Sequence, residues 1–96
     1  MEFNCIANPD KFINIAAAFG EDIEDMPDHE AALLSVKAVK DLLNDLNISY
    51  KLGDYGADAV HFEGIAKAAL SAGQLIGNNP RQVTEQDVVN ILKANL

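Results

Sequence analysis

The sequence predicts an all-α protein, a helical bundle of about four helices joined by short connectors. Apolar residues recur every three or four positions in several segments, which is the periodicity of a helix face. Residues that start and stop helices flank those segments, and no hairpin signal separates them. With 96 residues, the chain has the length of one domain. We therefore predict a single helical domain over residues 1–96.

The first predicted helix runs from Pro9 to Phe19. Asn8 can cap free backbone N–H groups, Pro9 suits the first helical position, and Gly20 stands where a left-handed C-terminal cap would lie. The predicted apolar stripe consists of Phe12, Ile13, Ala16 and Phe19. A helix of this length depends on tertiary packing for its stability.

The second predicted helix follows an acidic, proline-containing segment, residues 21–30, which we interpret as a connecting loop. Asp28 is the predicted N-cap, and the helix should end near Asn47. Its predicted apolar stripe consists of Ala32, Leu33, Val36, Val39, Leu43 and Leu46. The spacing is that of a long amphipathic helix.

Two further helices are predicted in the second half of the chain. After an apolar connector at residues 48–52 and a Gly-containing turn, a third helix starts around Val60 and ends before Gly77, weakened by Gly64. Its predicted face consists of Phe62, Ile65, Ala66, Ala69 and Leu70. Residues 84–87 resemble an acidic capping box, so Thr84 should open the terminal helix.

Charge and cysteine content exclude several classes of function. Seven basic and fifteen acidic side chains give a formal charge of −8, which would repel phosphate backbones and anionic membrane surfaces. No apolar run approaches the roughly 20 residues of a membrane span. A single cysteine and the lack of a signal-peptide pattern favour a reducing cytoplasm. We expect neither nucleic acid nor membrane as a partner.

The residues that carry catalytic chemistry are scarce and scattered. The two histidines, His29 and His61, lie on different predicted elements without metal-ligand spacing, and each is expected to be structural or solvated. Cys5, between apolar neighbours, is expected to be a small buried residue rather than a nucleophile. The acidic loop lacks the pattern of a calcium loop, and no glycine-rich phosphate loop is present. Composition and spacing therefore supply no catalytic or metal-binding residue.

The order of four segments nevertheless resembles the C-terminal end of the iron-containing, or group III, alcohol dehydrogenases. Residues 1–4 are similar to the family's Val-Met-x-Phe/Tyr-Asn segment, and the helix KFINIAAAFG follows after a gap. Residues 46–52 resemble its leucine, short turn and Ile-Pro-x-x-Leu connector, with Ser49 where Pro is usual. An Ala-rich helix at residues 65–70 precedes the signature Asn79-Pro80-Arg81. The family's Thr-x-x-Asp-(Ile/Val) ending is matched by Thr84, Asp87, Val88 and Ile91.

The resemblance implies that this chain is the C-terminal helical part of a larger oxidoreductase. Such enzymes carry an N-terminal dinucleotide-binding domain, absent here, and bind NAD(P) and a divalent metal, iron or zinc, in the cleft between the domains. The family's metal ligands lie upstream of the matched region, so no residue here inherits that role. The isolated chain is therefore expected to hold no cofactor and to be inactive. His61 stands where the family commonly has an acidic residue.

One segment is a candidate for approaching the cleft. Four consecutive residues before the Asn-Pro-Arg signature are expected to form part of a substrate-pocket wall: Leu75, Ile76, Gly77 and Asn78. The alternative is a loop that only links two helices, with Leu75 and Ile76 closing the local core.

Two functions remain open at this point. The chain is either part of an NAD(P)-dependent alcohol or aldehyde oxidoreductase or a stand-alone acidic helical protein-interaction module. An enzyme part should pack against the missing N-terminal domain or self-associate through exposed apolar surface. A stand-alone module should instead be a stable monomer.

Overall fold

The computed structural model describes the whole chain, Met1–Leu96, and contains helices and turns but no strand. The all-α prediction is confirmed, with six α-helices rather than about four. The helices are α1 Glu2–Cys5, α2 Pro9–Ala18, α3 Asp28–Asp45, α4 Phe62–Ser71, α5 Gly73–Gly77 and α6 Glu85–Ala94. Two short 3-10 turns precede α4, Leu52–Tyr55 and Ala59–His61. None of these helices combines the length and the apolar content that crossing a bilayer requires.

The chain divides into two compact units, Met1–Ile48 and Ser49–Leu96. The first contains α1 to α3, and the second contains the two 3-10 turns and α4 to α6.

Helix α2 in the first unit agrees with its predicted start and ends one residue before the predicted Phe19. Its C-terminus is a Schellman motif, because Gly20 adopts φ of 84° and the N–H groups of Gly20 and Glu21 donate to Ala17 and Ala16. The side-chain cap predicted at Asn8 does not form. Asn8 occupies the N-cap position with φ of −149°, but its side chain makes no capping hydrogen bond.

Helix α3 begins one residue earlier than its predicted cap implies. Pro27, not Asp28, is the N-cap residue, and its carbonyl accepts the first helical N–H, from Ala31, at 3.0 Å. The fixed φ of proline suits this position, and Asp28 lies instead in the first turn, where a carboxylate meets the positive end of the helix dipole. The helix ends at Asp45, two residues before the predicted Asn47, which adopts the left-handed region with φ of 55°.

The core of the first unit is built from small residues. The buried positions of α3 are Ala31, Ala32, Ser35 and Ala38, and those of α1 and α2 are Cys5 and Ala16. The predicted stripe of α3 is right at Ala32, which is buried, but it omitted Ala31, Ser35 and Ala38. Its larger members are half-buried, except for Leu46, which is exposed. Alanines let helix backbones approach closely, so the tightest seam passes along them. The buried Ser35 hydroxyl has a hydrogen-bond partner within its own helix, because it donates to the Ala32 carbonyl at 2.6 Å.

The third predicted helix is divided in the structure. A 3-10 turn capped by Asp58, whose carboxylate accepts from the Val60 N–H at 3.0 Å, leads into α4. The chain leaves helical geometry at Ala72, with φ of −81° and ψ of 56°, and re-enters it as α5. The Ala72 carbonyl accepts from both Leu75 and Ile76, which anchors the start of the new helix.

The terminal helix α6 opens with the predicted capping box. The Asp87 N–H donates to the Thr84 hydroxyl at 3.1 Å, and the Thr84 N–H donates to the Asp87 carboxylate at 2.9 Å. Beyond the helix, the carbonyls of Asn95 and Leu96 accept from Leu52 and Gly53 at 2.7 and 3.2 Å. The core of this unit consists of Phe62 and Ala66 from α4 and Val89 from α6.

Candidate substrate-pocket wall

The four residues predicted to form a pocket wall lie together on one turn of the second unit. Leu75, Ile76 and Gly77 end α5, and Asn78 is its C-cap residue. Leu75 is the most exposed large apolar side chain of the protein, at 75%. Ile76 is half-buried, and Gly77 and Asn78 are exposed. Of the two apolar residues, Ile76 alone therefore has a share in the local core.

The turn is held in place by its own backbone. The Asn79 N–H donates to the Ile76 carbonyl at 3.0 Å, and the Asn79 side-chain amide donates to the Arg81 carbonyl at 2.6 Å. Pro80, between them, fixes its own φ. Hydrogen bonds of Asn79 thus connect the Asn-Pro-Arg segment to the end of α5, just before the capping box of α6.

The surroundings of this turn are uncharged in sequence, since residues 68–80 include no Asp, Glu, Lys, Arg or His. The next basic residue, Arg81, helps to lower the pKa of Asp87, after the larger effects of the backbone and side-chain hydrogen bonds from Thr84. The Arg81 charge therefore acts at the start of α6. The turn offers an apolar side chain and one amide, with no group for acid–base catalysis.

The side chains of this chain do not fit a metal centre. No group of three or more His, Cys, Asp and Glu side chains lies close enough to hold an ion. His29 is exposed in the first turn of α3, and His61 is exposed at the N-cap of α4, as expected for solvated residues. The two histidines also belong to different compact units.

Cys5 is buried, as its apolar neighbours predict, and its exposed fraction is 1%. Burial raises the pKa of its thiol, an effect that the nearby N-terminal charge and the Ser35 hydroxyl only partly oppose. The sulfur lies 3.6 Å from the Met1 carbonyl and 3.9 Å from that of Ala32. A neutral, enclosed thiol is a packing residue and a poor nucleophile.

A shallow groove between α4 and α6 had no signal in the sequence. It has a volume of about 390 Å³ and is lined by Glu63, Glu85, Gln86, Val89 and Lys93. These residues come from two helices that are distant in sequence, so periodicity within one helix does not reveal their proximity. The groove is open and its lining is mostly polar.

Comparison with known proteins gives a consistent relationship over nearly the whole chain. The 1,3-propanediol dehydrogenase of Citrobacter freundii is 34% identical over 91 residues, which are 95% of this chain and 23% of that protein. The sulfoacetaldehyde reductase of Bilophila wadsworthia is 36% identical, covering 97% of this chain and 24% of that enzyme. The chain thus spans about a quarter of the length of these relatives.

The fold is shared as well as the sequence. The alcohol dehydrogenase from Oenococcus oeni superposes with a TM-score of 0.91 at 36% identity, over 99% of this chain and 24% of the solved chain. A 1,3-propanediol oxidoreductase structure gives the same TM-score at 34% identity. The sequence also matches the profile "Fe-containing alcohol dehydrogenase family, C-terminal" over residues 1–96. The chain therefore belongs to the iron-containing alcohol dehydrogenase family and corresponds to its C-terminal domain.

Proposed function

We propose that this chain serves as the C-terminal part of an oxidoreductase that transfers a hydride between a small alcohol or aldehyde and NAD(P). The observation that carries the proposal is the match in sequence and fold over nearly the whole chain. The relatives named above are dehydrogenases and reductases of small alcohols and aldehydes by name. We propose the cytoplasm as the compartment of this protein, because a single cysteine cannot form an internal disulfide.

Metal and nucleotide binding are assigned to residues outside this chain. The family name implies iron, the resemblance allows zinc as the alternative, and the proposed hydride transfer requires a nicotinamide. The donor set described above fits neither a metal nor a phosphate group, because no three potential metal ligands lie together and no glycine-rich loop is present. The contribution of this chain is therefore structural support and part of a substrate pocket.

Leu75, Ile76, Gly77 and Asn78 are proposed as that part of the pocket wall. A large apolar side chain that is 75% exposed leaves most of its surface in water, which costs free energy unless another surface or a ligand covers it. The hydrogen bond from the Asn79 N–H to the Ile76 carbonyl fixes the backbone beside this side chain. Both features suit a residue that limits the space available to a substrate.

The test is a composite enzyme in which this chain follows the preceding three quarters of the 1,3-propanediol dehydrogenase of C. freundii. We expect NAD-dependent oxidation of small alcohols after addition of ferrous iron, and no turnover by the 96-residue chain alone. An inactive composite that is folded and binds NAD would contradict the proposal. It would favour the alternative of a stand-alone interaction module.

The pocket wall has its own control in the same composite. Leu75→Ala should change kcat/KM for alcohols of different length, because it enlarges the space beside the substrate. Val60→Ala alters a side chain of nearly equal exposure, 74%, outside the predicted wall, and should leave these values unchanged. Equal substrate profiles for both variants would show that residues 75–78 only link two helices.

A further inference from the structure

One stripe of helix α3 is buried at its start and open at its end. The residues that share this face, at helical spacing, are Ala31, Ser35, Ala38, Leu42 and Leu46. The exposed fractions are 2%, 0% and 5% for the first three residues, and 43% and 58% for the two leucines. The largest side chains of the stripe are therefore the most exposed ones.

The lengths of α2 and α3 explain where the burial of this stripe ends. Helix α2 has 10 residues and α3 has 18, so they are about 15 Å and about 27 Å long. Helix α2 is too short to cover the whole of α3, and the buried residues of the stripe extend only as far as Ala38. Leu42 and Leu46 lie one and two turns beyond that point, and Ile48, 47% exposed, follows the end of the helix.

We infer that Leu42, Leu46 and Ile48, the open end of α3, form a docking surface for the preceding part of the oxidoreductase chain. This inference rests on the proposed function and adds to it the residues that join this domain to the rest of the enzyme. The occupant is indicated by the lengths of the relatives, because this chain accounts for about a quarter of each. A second copy is a poorer occupant, since two chains of charge −8 repel each other.

The surface is accessible to mutation without loss of the local fold. Both leucines are already about half in water, so glutamate at these positions disturbs the isolated chain little and places charge where a partner would exclude water. Asn44 supplies the control. It is exposed on the same part of α3, on the opposite side of the helix, so Asn44→Glu adds charge away from the stripe.

The experiment measures binding of the 96-residue chain to the separately produced preceding part of the C. freundii 1,3-propanediol dehydrogenase. We expect Leu42→Glu with Leu46→Glu to raise Kd roughly 30-fold or more, from the lost burial of two half-exposed leucines. Asn44→Glu should bind like the wild type. Circular dichroism of the isolated variants checks that each one is folded.

The outcomes separate this inference from the proposed function. Equal binding by wild type and double variant would overturn the docking surface, as would no binding by the wild type. If the double variant abolishes self-association of the chain but leaves partner binding unchanged, the occupant is a second copy and the inference fails. An active composite enzyme whose activity survives both glutamates would reject the docking surface while the proposed function stands.

Discussion

Replacing Gly53 with alanine tests whether the contact between the first 3-10 turn and the end of α6 contributes to stability. A Cβ at Gly53 would lie 2.8 Å from the Leu96 carbonyl oxygen, a distance that side-chain carbons do not tolerate. The obstructing atom belongs to the backbone, so a rotamer change cannot relieve the clash. The easiest response is for Asn95 and Leu96 to withdraw from the turn.

The expected cost follows from the bonds that this withdrawal breaks. Two backbone hydrogen bonds join Leu52 and Gly53 to Asn95 and Leu96. Each contributes about 0.5–1.5 kcal/mol net, and the lower entropy of the unfolded alanine chain returns about 0.4–1 kcal/mol. Gly53→Ala should therefore lower the free energy of unfolding by about 1 kcal/mol, or the melting temperature by roughly 4–8 °C.

Gly64→Ala is the matched control, with the opposite sign. Gly64 lies in helix α4, and a Cβ there would meet no atom within 4 Å. Alanine should stabilise the helix by about 1 kcal/mol, because glycine is the poorer helix former. Thermal unfolding followed at 222 nm compares the two variants. If both variants stabilise the chain, Leu96 moves away from the added methyl group without loss of stability, and its contact with the turn contributes nothing to the fold.

Four further predictions concern the helix ends and the buried thiol. Gly20→Ala places a Cβ in open space but in the left-handed region, so urea unfolding should show a loss of about 1–2 kcal/mol, and an unchanged stability would contradict the assigned φ of 84°. Thr84→Ala should cost about 1 kcal/mol through loss of the α6 cap. Because the pKa of Asp87 is lowered in the fold, its carboxylate contributes fully to stability above the ordinary Asp pKa of about 4, and this contribution is lost as pH falls through the folded-state pKa. The free energies of unfolding of wild type and Asp87→Ala should therefore converge as the solution is acidified. A difference that stays constant with pH would reject the capping box. Burial raises the pKa of Cys5, so the folded state favours the neutral thiol, and the free energy of unfolding should fall as pH rises above the ordinary thiol pKa of about 8.5. If Cys5→Ala loses the same stability at alkaline pH, the thiol is not the cause.

The sequence by itself determined the fold class, the start of α2, the Gly20 cap, the α6 capping box and the burial of Cys5. These features depend on neighbouring residues, since a cap is a contact over three or four positions and periodicity defines a face of one helix. The family resemblance rested on the same kind of local segments in a fixed order. The pocket wall at residues 75–78 stays a prediction.

The tertiary structure decided which face of α3 is buried and where that burial ends. Helix α3 is apolar over a wide arc, so its sequence permits more than one buried face, and the larger residues that the prediction favoured are half-buried or exposed. Packing against α1 and α2 selected the line of Ala31, Ser35 and Ala38, because small side chains permit the closest approach of helices. The break at Ala72 and the approach of Leu96 to Gly53 likewise depend on contacts that no local pattern of residues encodes.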